Sequence, residues 1–553
     1  PLLAVHPPPR CAQAPHRLQP AMRSRGRGLP VAVLLGLCIG IPRWGGQLTF
    51  ARKRVRRMVM ERDFAHQMHK ILRRVLHATH GREEPLDEQD DAQMKQERQN
   101  LENVDVAVAS MLLGSTFFVM GLFYLVNHRD EDIRRYSWEV LSTTLAIFTS
   151  VLIFQGVDCL LVSLVLQYFL PSAPGERHLG IMLVSVVHLL CWYTSMHVVV
   201  GKIARSKPSS GNEEAVEAWE LKIKCYATLL SHMTAFAAIL AWCEVQQLPA
   251  FATGPLASAV PVALHALLLF VTFRLTSYIR TRFCSNGCSD TELQAWEQEA
   301  EEGENDISAI SISYLTVQVV RLAVSGTVGD EAALEMTDGR DARRNIATFL
   351  AVSALFVALS FATVKLLVQL RHRKHSVWTD DVVPHWHSRS GFDSRRRYLM
   401  RWGFILLDVC CMSFAWCLLS ASKWAIGYAS YAFNLRLLQL DTINGVCLAL
   451  SISVMAFLLI FGFNWICDHE TLHDLVRMQL RTIIRSIGIL IGFAWEQSFD
   501  AGVEALSRLT EPWGGWQPLL AKFLLACLVA AVVVPVWRRH ILGTVMSLQS
   551  RKA

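Results

Sequence analysis

The chain has 553 residues, of which 52% are hydrophobic and 18% charged, with a formal charge of +7 and a positive mean hydropathy. Soluble domains carry about a quarter charged residues, so this composition excludes a soluble multidomain protein and predicts an all-α, polytopic transmembrane helix bundle. The basic excess falls in short loops beside apolar segments, where it sets orientation and meets anionic headgroups; membrane lipid is the expected partner, and nucleic acid is not.

Taken in order, residues 1–46 hold a basic stretch from Met22 to Arg27 and a short apolar run at 29–41, the pattern of a signal peptide or signal-anchor, with Met22 as the expected initiator. Residues 47–103 form a basic and then highly charged extramembrane segment. His66, His69, His77 and His80 lie there without nearby cysteines, so an amphipathic surface helix is expected rather than a metal site. Spans are then predicted at 104–126, 140–170, 179–200, 225–248, 256–273, 307–327, 346–370, 402–426, 440–465, 486–506 and 519–537. That makes about eleven, or twelve if the N-terminal run is retained.

The sixth segment, with Gln318 and Arg321, is the most polar. If it crosses, the basic loops at 134–135, 202–207, 280–282, 371–374, 395–397, 477–481 and 538–539 all fall on one side; if it does not, they divide between the two. The positive-inside rule therefore predicts that it crosses. It also predicts a cytosolic C-terminal tail at 538–553 in an integral protein of the plasma, endomembrane or organellar membranes. The domain plan that follows is a first bundle half at 104–273, a cytosolic acidic loop at 274–306, a central polar span at 307–327, a non-cytosolic loop at 328–345 and a second half at 346–537. Fourteen cysteines scattered mostly within spans suit apolar packing better than a disulfide framework. Cys284 and Cys288 alone form a juxtamembrane CxxxC in a loop.

An Ala-Trp pair recurs in three spans, at Ala241-Trp242, Ala415-Trp416 and Ala494-Trp495, and five segments flank the central one on each side. Two parallel pseudo-repeats of five to six helices are one reading of this. Counting the N-terminal run, the layout resembles otopetrin-type proton channels and major-facilitator transporters in architecture alone, and no residue role is carried over from either.

A charge near the bilayer centre costs at least about 2.5 kcal/mol on insertion scales, so polar residues within spans mark interior faces or aqueous paths. The candidates are Gln155 and Asp158, His232 and Glu244, Arg321, Asp408, and Glu496 with Asp500. On the tenth span Arg485, Gly488, Gly492, Glu496 and Asp500 recur at helical spacing, with Gly488 and Gly492 as a GxxxG contact face. Both signs of charge are present, so Arg321 or Lys365 is expected to pair with Asp158, Asp408 or Glu496. A proton relay, a cation site and a structural ion pair would all leave this pattern, and a buried histidine such as His188, His232 or His265 is equally a hydrogen-bonded core residue.

The sharpest motif outside the spans is HExxH, at His469, Glu470 and His473. There two histidines one turn apart would hold zinc while Glu470 activates water. Asp468 and Asp474 bracket it, which suits the charged start of a helix better than a zinc cleft. No P-loop, dinucleotide fingerprint or GxSxG elbow occurs, so neither ATP-driven pumping nor a cofactor is expected. The reading that results is a secondary transporter or channel for an ion or small solute, with a membrane metalloenzyme and a non-transporting scaffold or sensor as the rivals.

Overall fold

A computed structural model of the protein describes residues 88–168, 174–208, 213–284, 289–326, 339–372, 394–434, 441–467, 474–508, 510 and 516–550. The signal-like run, the basic N-terminal segment with its histidines, and the HExxH residues His469, Glu470 and His473 lie outside the described residues. Every regular element described is helical. The helices are α1 (Glu88–Val126), α2 (Glu131–Tyr168), α3 (Pro174–Ala204), α4 (Glu213–Gln246), α5 (Pro255–Cys284), α6 (Asp290–Ser325), α7 (Gly339–His372), α8 (Ser394–Ala432), α9 (Asp441–Cys467), α10 (Asp474–Arg508) and α11 (Gln517–Val536). A π-helical turn (Trp537–Leu542) and α12 (Gly543–Ser550) continue α11.

Ten of these helices are long and apolar enough to cross a membrane. The protein is therefore a multi-pass membrane protein, and α10 is the long helix whose composition alone falls short. Its crossing is read from packing. Gly488 and Gly492 of α10 abut Val140 and Thr144 of α2, so the two helices run parallel through the same depth. Opposed to them, Trp495 of α10 donates to Ser453 of α9 at 3.0 Å, while Gly445 of α9 faces Ser498 of α10. Glu496 on α10 is tolerated because protein surrounds it, leaving it 0% exposed.

The same contacts fix the direction of the central polar helix. Lys224 of α4 meets Glu302 of α6 and Gln246 of α4 donates to the Leu315 carbonyl. Arg401 of α8 bonds Asn305 and Trp416 of α8 bonds Ser313. Thus α4, α6 and α8 run parallel, and α6 is among the helices long and apolar enough to cross. The acidic run at 290–306 is not the loop the sequence implied: it is the first half of α6. Ser289 caps that helix in a reciprocal box with Glu292, and Gly326 ends it at φ 75, a left-handed conformation that favours glycine. The run is helical because its acidic residues alternate with Leu293, Trp296 and Ala300, which pack into the core, while the capping box supplies the start.

Helices α2, α4, α6, α8 and α10 form a closed ring, each touching the next and α10 returning to α2. The odd-numbered long helices lie outside it and run the other way. Between 44% and 78% of the apolar windows of α2, α4, α6 and α8 is buried, against 6% to 39% for α1, α3, α5, α7, α9 and α11. Helix starts on the ring and helix ends on the outer layer therefore share one face, the basic end. Helix ends on the ring and helix starts on the outer layer share the other.

Close approach holds the ring together. A Cβ on Gly492 would lie 2.9 Å from the Thr144 carbonyl oxygen, and Thr144 Oγ1 donates to the Gly488 carbonyl at 3.2 Å. Valine at position 492 forces backbone apart and is expected to destabilise the protein by about 1–3 kcal/mol. Thermal unfolding in detergent measures this, and an unshifted transition removes the GxxxG contact from the account. The three Ala-Trp pairs share a feature as well: Ala241, Ala415 and Ala494 are all buried, while their tryptophans diverge towards His265, Phe493 and Ser453. The described cysteines are unbridged.

Candidate functional site: the axis of the helix ring

Three layers of side chains succeed one another along the ring. The first lies towards the basic end. Arg485 of α10 reaches across to Asp306 of α6 at 3.9 Å, and His232 of α4 stands 3.9 Å from the same carboxylate. Asp408 of α8 and Glu139 of α2 lie within electrostatic reach of Arg485. Each ring helix thus contributes at least one titratable side chain at this level, with Glu302 of α6 and Lys224 of α4 also within reach of Arg485. In this layer 53% of the Arg485 side chain is exposed, as is 27% of Asp306, so solvent reaches these two groups.

About 12 Å further along α10, at 1.5 Å per residue, comes a belt of aromatic rings. Phe154 of α2 contacts Phe236 of α4 with centroids 6.5 Å apart, and Phe236 stacks on Phe493 of α10 at 5.9 Å across the ring. Phe493 meets Trp416 of α8 at 4.8 Å, and Trp416 meets Tyr314 of α6 at 5.2 Å. Again each ring helix supplies one member. Edge-to-face and stacked pairs of this kind reinforce one another, and together they close the axis with apolar surface.

Beyond the belt lies a small cavity of ≈ 10 Å³ with Trp416 and Phe493 among its walls and with Gln318, Arg321, Ser420 and Lys423 as its polar lining. Arg321 Nε donates to Ser420 Oγ at 3.4 Å, and that hydroxyl donates to the Trp416 carbonyl at 3.1 Å. One turn past Phe493, Glu496 is fully buried and neither carboxylate oxygen has a hydrogen-bond partner among the described residues. Asp500 pairs with Lys522 of α11 at 2.7 Å.

The ring brings His232 and Asp408 together in the first layer, and Arg321, Glu496 and Asp500 to the far side of the belt. Asp158 takes a different partner from the cations expected. His188 Nδ1 lies 3.2 Å from it, and Trp192 Nε1 donates to His188 Nε2 at 2.6 Å, so the proton facing Asp158 sits on Nδ1. Lys365 is exposed on the outer surface of α7 and takes no part. Gln155, beside the belt, keeps Oε1 buried without a partner among the described residues. Glu244 stands half-buried near the turn end of α4, two residues past Trp242.

A separate charged cluster escaped the sequence reading. Glu304 of α6 is 0% exposed and accepts from Arg280 of α5 at 2.6 Å and Arg401 of α8 at 2.9 Å. Thr276 donates to it at 2.9 Å, and His197 lies 3.6 Å away. Glu304 and Asp306 are two residues apart, on opposite faces of α6; one faces the outer helices and the other faces the ring axis. Their helical phase was visible, but the assignment of the whole acidic run to solvent concealed it.

Among the described residues no group of histidine, cysteine and acidic side chains has metal-binding geometry. No family model, curated protein or solved structure matches this chain.

Proposed function

We propose that the chain is a transporter or channel for an ion or small solute, with its path along the axis of the five-helix ring and its basic end in the cytosol. The observation that carries this reading is the cluster of Glu139, His232, Asp306, Asp408 and Arg485, to which all five ring helices contribute. A bundle that needed charge only for packing has little reason to leave half of Arg485 open to solvent. The Glu304 cluster shows the contrast: its carboxylate and the two guanidinium groups on it are buried and directly paired, which suits a structural role. In this mechanism the inner cluster receives the permeant species, the aromatic belt blocks it at rest, and the polar lining beyond the belt receives it on the other side.

Purified protein in liposomes tests the reading. Wild type is expected to pass protons or a small ion, and Asp306→Asn to lower the flux at least about tenfold, equivalent to about 1.4 kcal/mol in barrier or binding. Glu496→Gln is expected to alter the flux, whereas Asp158→Asn, whose parent carboxylate is held by His188, leaves it within about twofold. Flux unchanged in folded Asp306→Asn removes the inner cluster from the path.

A further inference from the structure

We infer that Glu496 is a proton-binding site just beyond the aromatic belt, and that the proton it holds belongs to the transported species. Glu496 is 0% exposed, and neither of its carboxylate oxygens has a hydrogen-bond partner among the described residues. A carboxylate taken out of water with no bond to either oxygen is far costlier than the neutral acid, so burial of this kind selects the protonated form. The carboxyl keeps its proton.

Its position follows from the helix. Glu496 comes three residues after Phe493 and shares its side of α10, the side from which Phe493 reaches Phe236 of α4 and Trp416 of α8. Four residues further on, Asp500 pairs with Lys522 of α11 at 2.7 Å, and their side chains are 21% and 14% exposed. Solvent thus reaches the pair one turn beyond the sealed carboxyl. The charged groups that act on Glu496 are Asp500 of its own helix, Lys522 of α11 and Lys423 of α8, and neither lysine makes a hydrogen bond to it. Among the described residues, α1, α2, α7 and α9, which also pack against α10, add no charge to these.

A proton suits this setting better than a metal cation does. A hard metal ion takes about six oxygen ligands, and among the described residues no group of histidine, cysteine and acidic side chains has metal-binding geometry. A proton needs one oxygen and no cavity. The exchange step is a transfer outward along α10: the O–H bond of Glu496 breaks, an O–H bond forms on Asp500, and Lys522 keeps its ammonium charge. Asp500 then gives the proton to the solvent that reaches it, and a proton arriving past the opened belt restores Glu496. This place in a transport cycle rests on the function proposed above; the proton on Glu496 is read from burial and bonding.

Infrared spectra of the purified full chain test the proton. Wild type is expected to show a carboxylic-acid C=O band that moves on exchange into D2O. Glu496→Gln, whose amide copies the shape of the neutral acid, is expected to remove one component of that band, and Glu496→Asp to shift it. In liposomes carrying a pH-sensitive dye, proton flux is expected to fall at least about tenfold in Glu496→Gln and to survive in Glu496→Asp. Elution volume and thermal unfolding establish that each variant is folded. Absence of an acid band in wild type, or a band unchanged in folded Glu496→Gln and Glu496→Asp, overturns the assignment. Flux of another ion without a Glu496 band leaves the transport reading standing and ends this one; the band without flux of any ion does the reverse.

Discussion

Glu304→Ala is expected to destabilise the protein by about 3–5 kcal/mol, because it strands two buried guanidinium groups with no carboxylate between them. Arg280 and Arg401 come from α5 and α8 and converge on one side chain that is 0% exposed. Thr276 and Tyr193 also direct hydroxyls at Oε1, so its removal disturbs four helices at once. Denaturant or thermal unfolding in detergent reads the loss. A rescue separates charge stranding from a simple cavity: adding Arg280→Met and Arg401→Met to Glu304→Leu replaces the ionic cluster with apolar volume and is expected to recover most of the lost stability. Single and triple variants of equal stability would show that the cluster is not what joins α5 and α8 to α6. Transport by the folded triple variant is expected to persist, since Glu304 faces away from the ring axis.

Opening the aromatic belt is the second large effect. Phe493 stacks on Phe236 across the ring and meets Trp416 edge-on, so it joins both sides of the closure. Phe493→Ala removes that joint and is expected to raise passive ion leak in liposomes by about tenfold or more, equivalent to at least about 1.4 kcal/mol of barrier. The truncation also leaves a cavity worth about 3–5 kcal/mol in stability; Phe493→Leu, which keeps most of the volume, serves as the folded companion and is expected to leak little. An unaltered leak in folded Phe493→Ala would place the barrier elsewhere on the axis.

The fold class was legible because bilayer crossing imposes a local rule that each segment obeys alone. About 20 apolar residues are needed per span, and the segments that satisfy this read directly from the chain. The GxxxG face of α10 was legible for a related reason: small residues four apart lie on one side of a helix whatever surrounds it. The central polar span was inferred from where the arginines fall, whereas the parallel course of α4, α6 and α8 came from side-chain contacts between helices. The acidic run at 290–306 misled because charge density signals solvent on average, and averaging over seventeen residues erased the helical phase that sends Glu304 outward and Asp306 inward. Ion pairing misled for a different reason. Candidate partners were chosen by sign alone, whereas Asp158 lies beside His188 and Lys365 points away from the bundle.

By itself, then, the sequence determined that this protein is a multi-pass helical membrane protein, since hydropathy and helical periodicity are properties of each segment in isolation. The order of helices around the axis, the closure of the even-numbered five into a ring, and the sorting of charges into an axial cluster and a sealed clamp were decided by the tertiary structure alone. Each depends on which helix lies beside which. Asp306 and Arg485, 179 positions apart in the chain, meet only because α6 and α10 face each other across that ring.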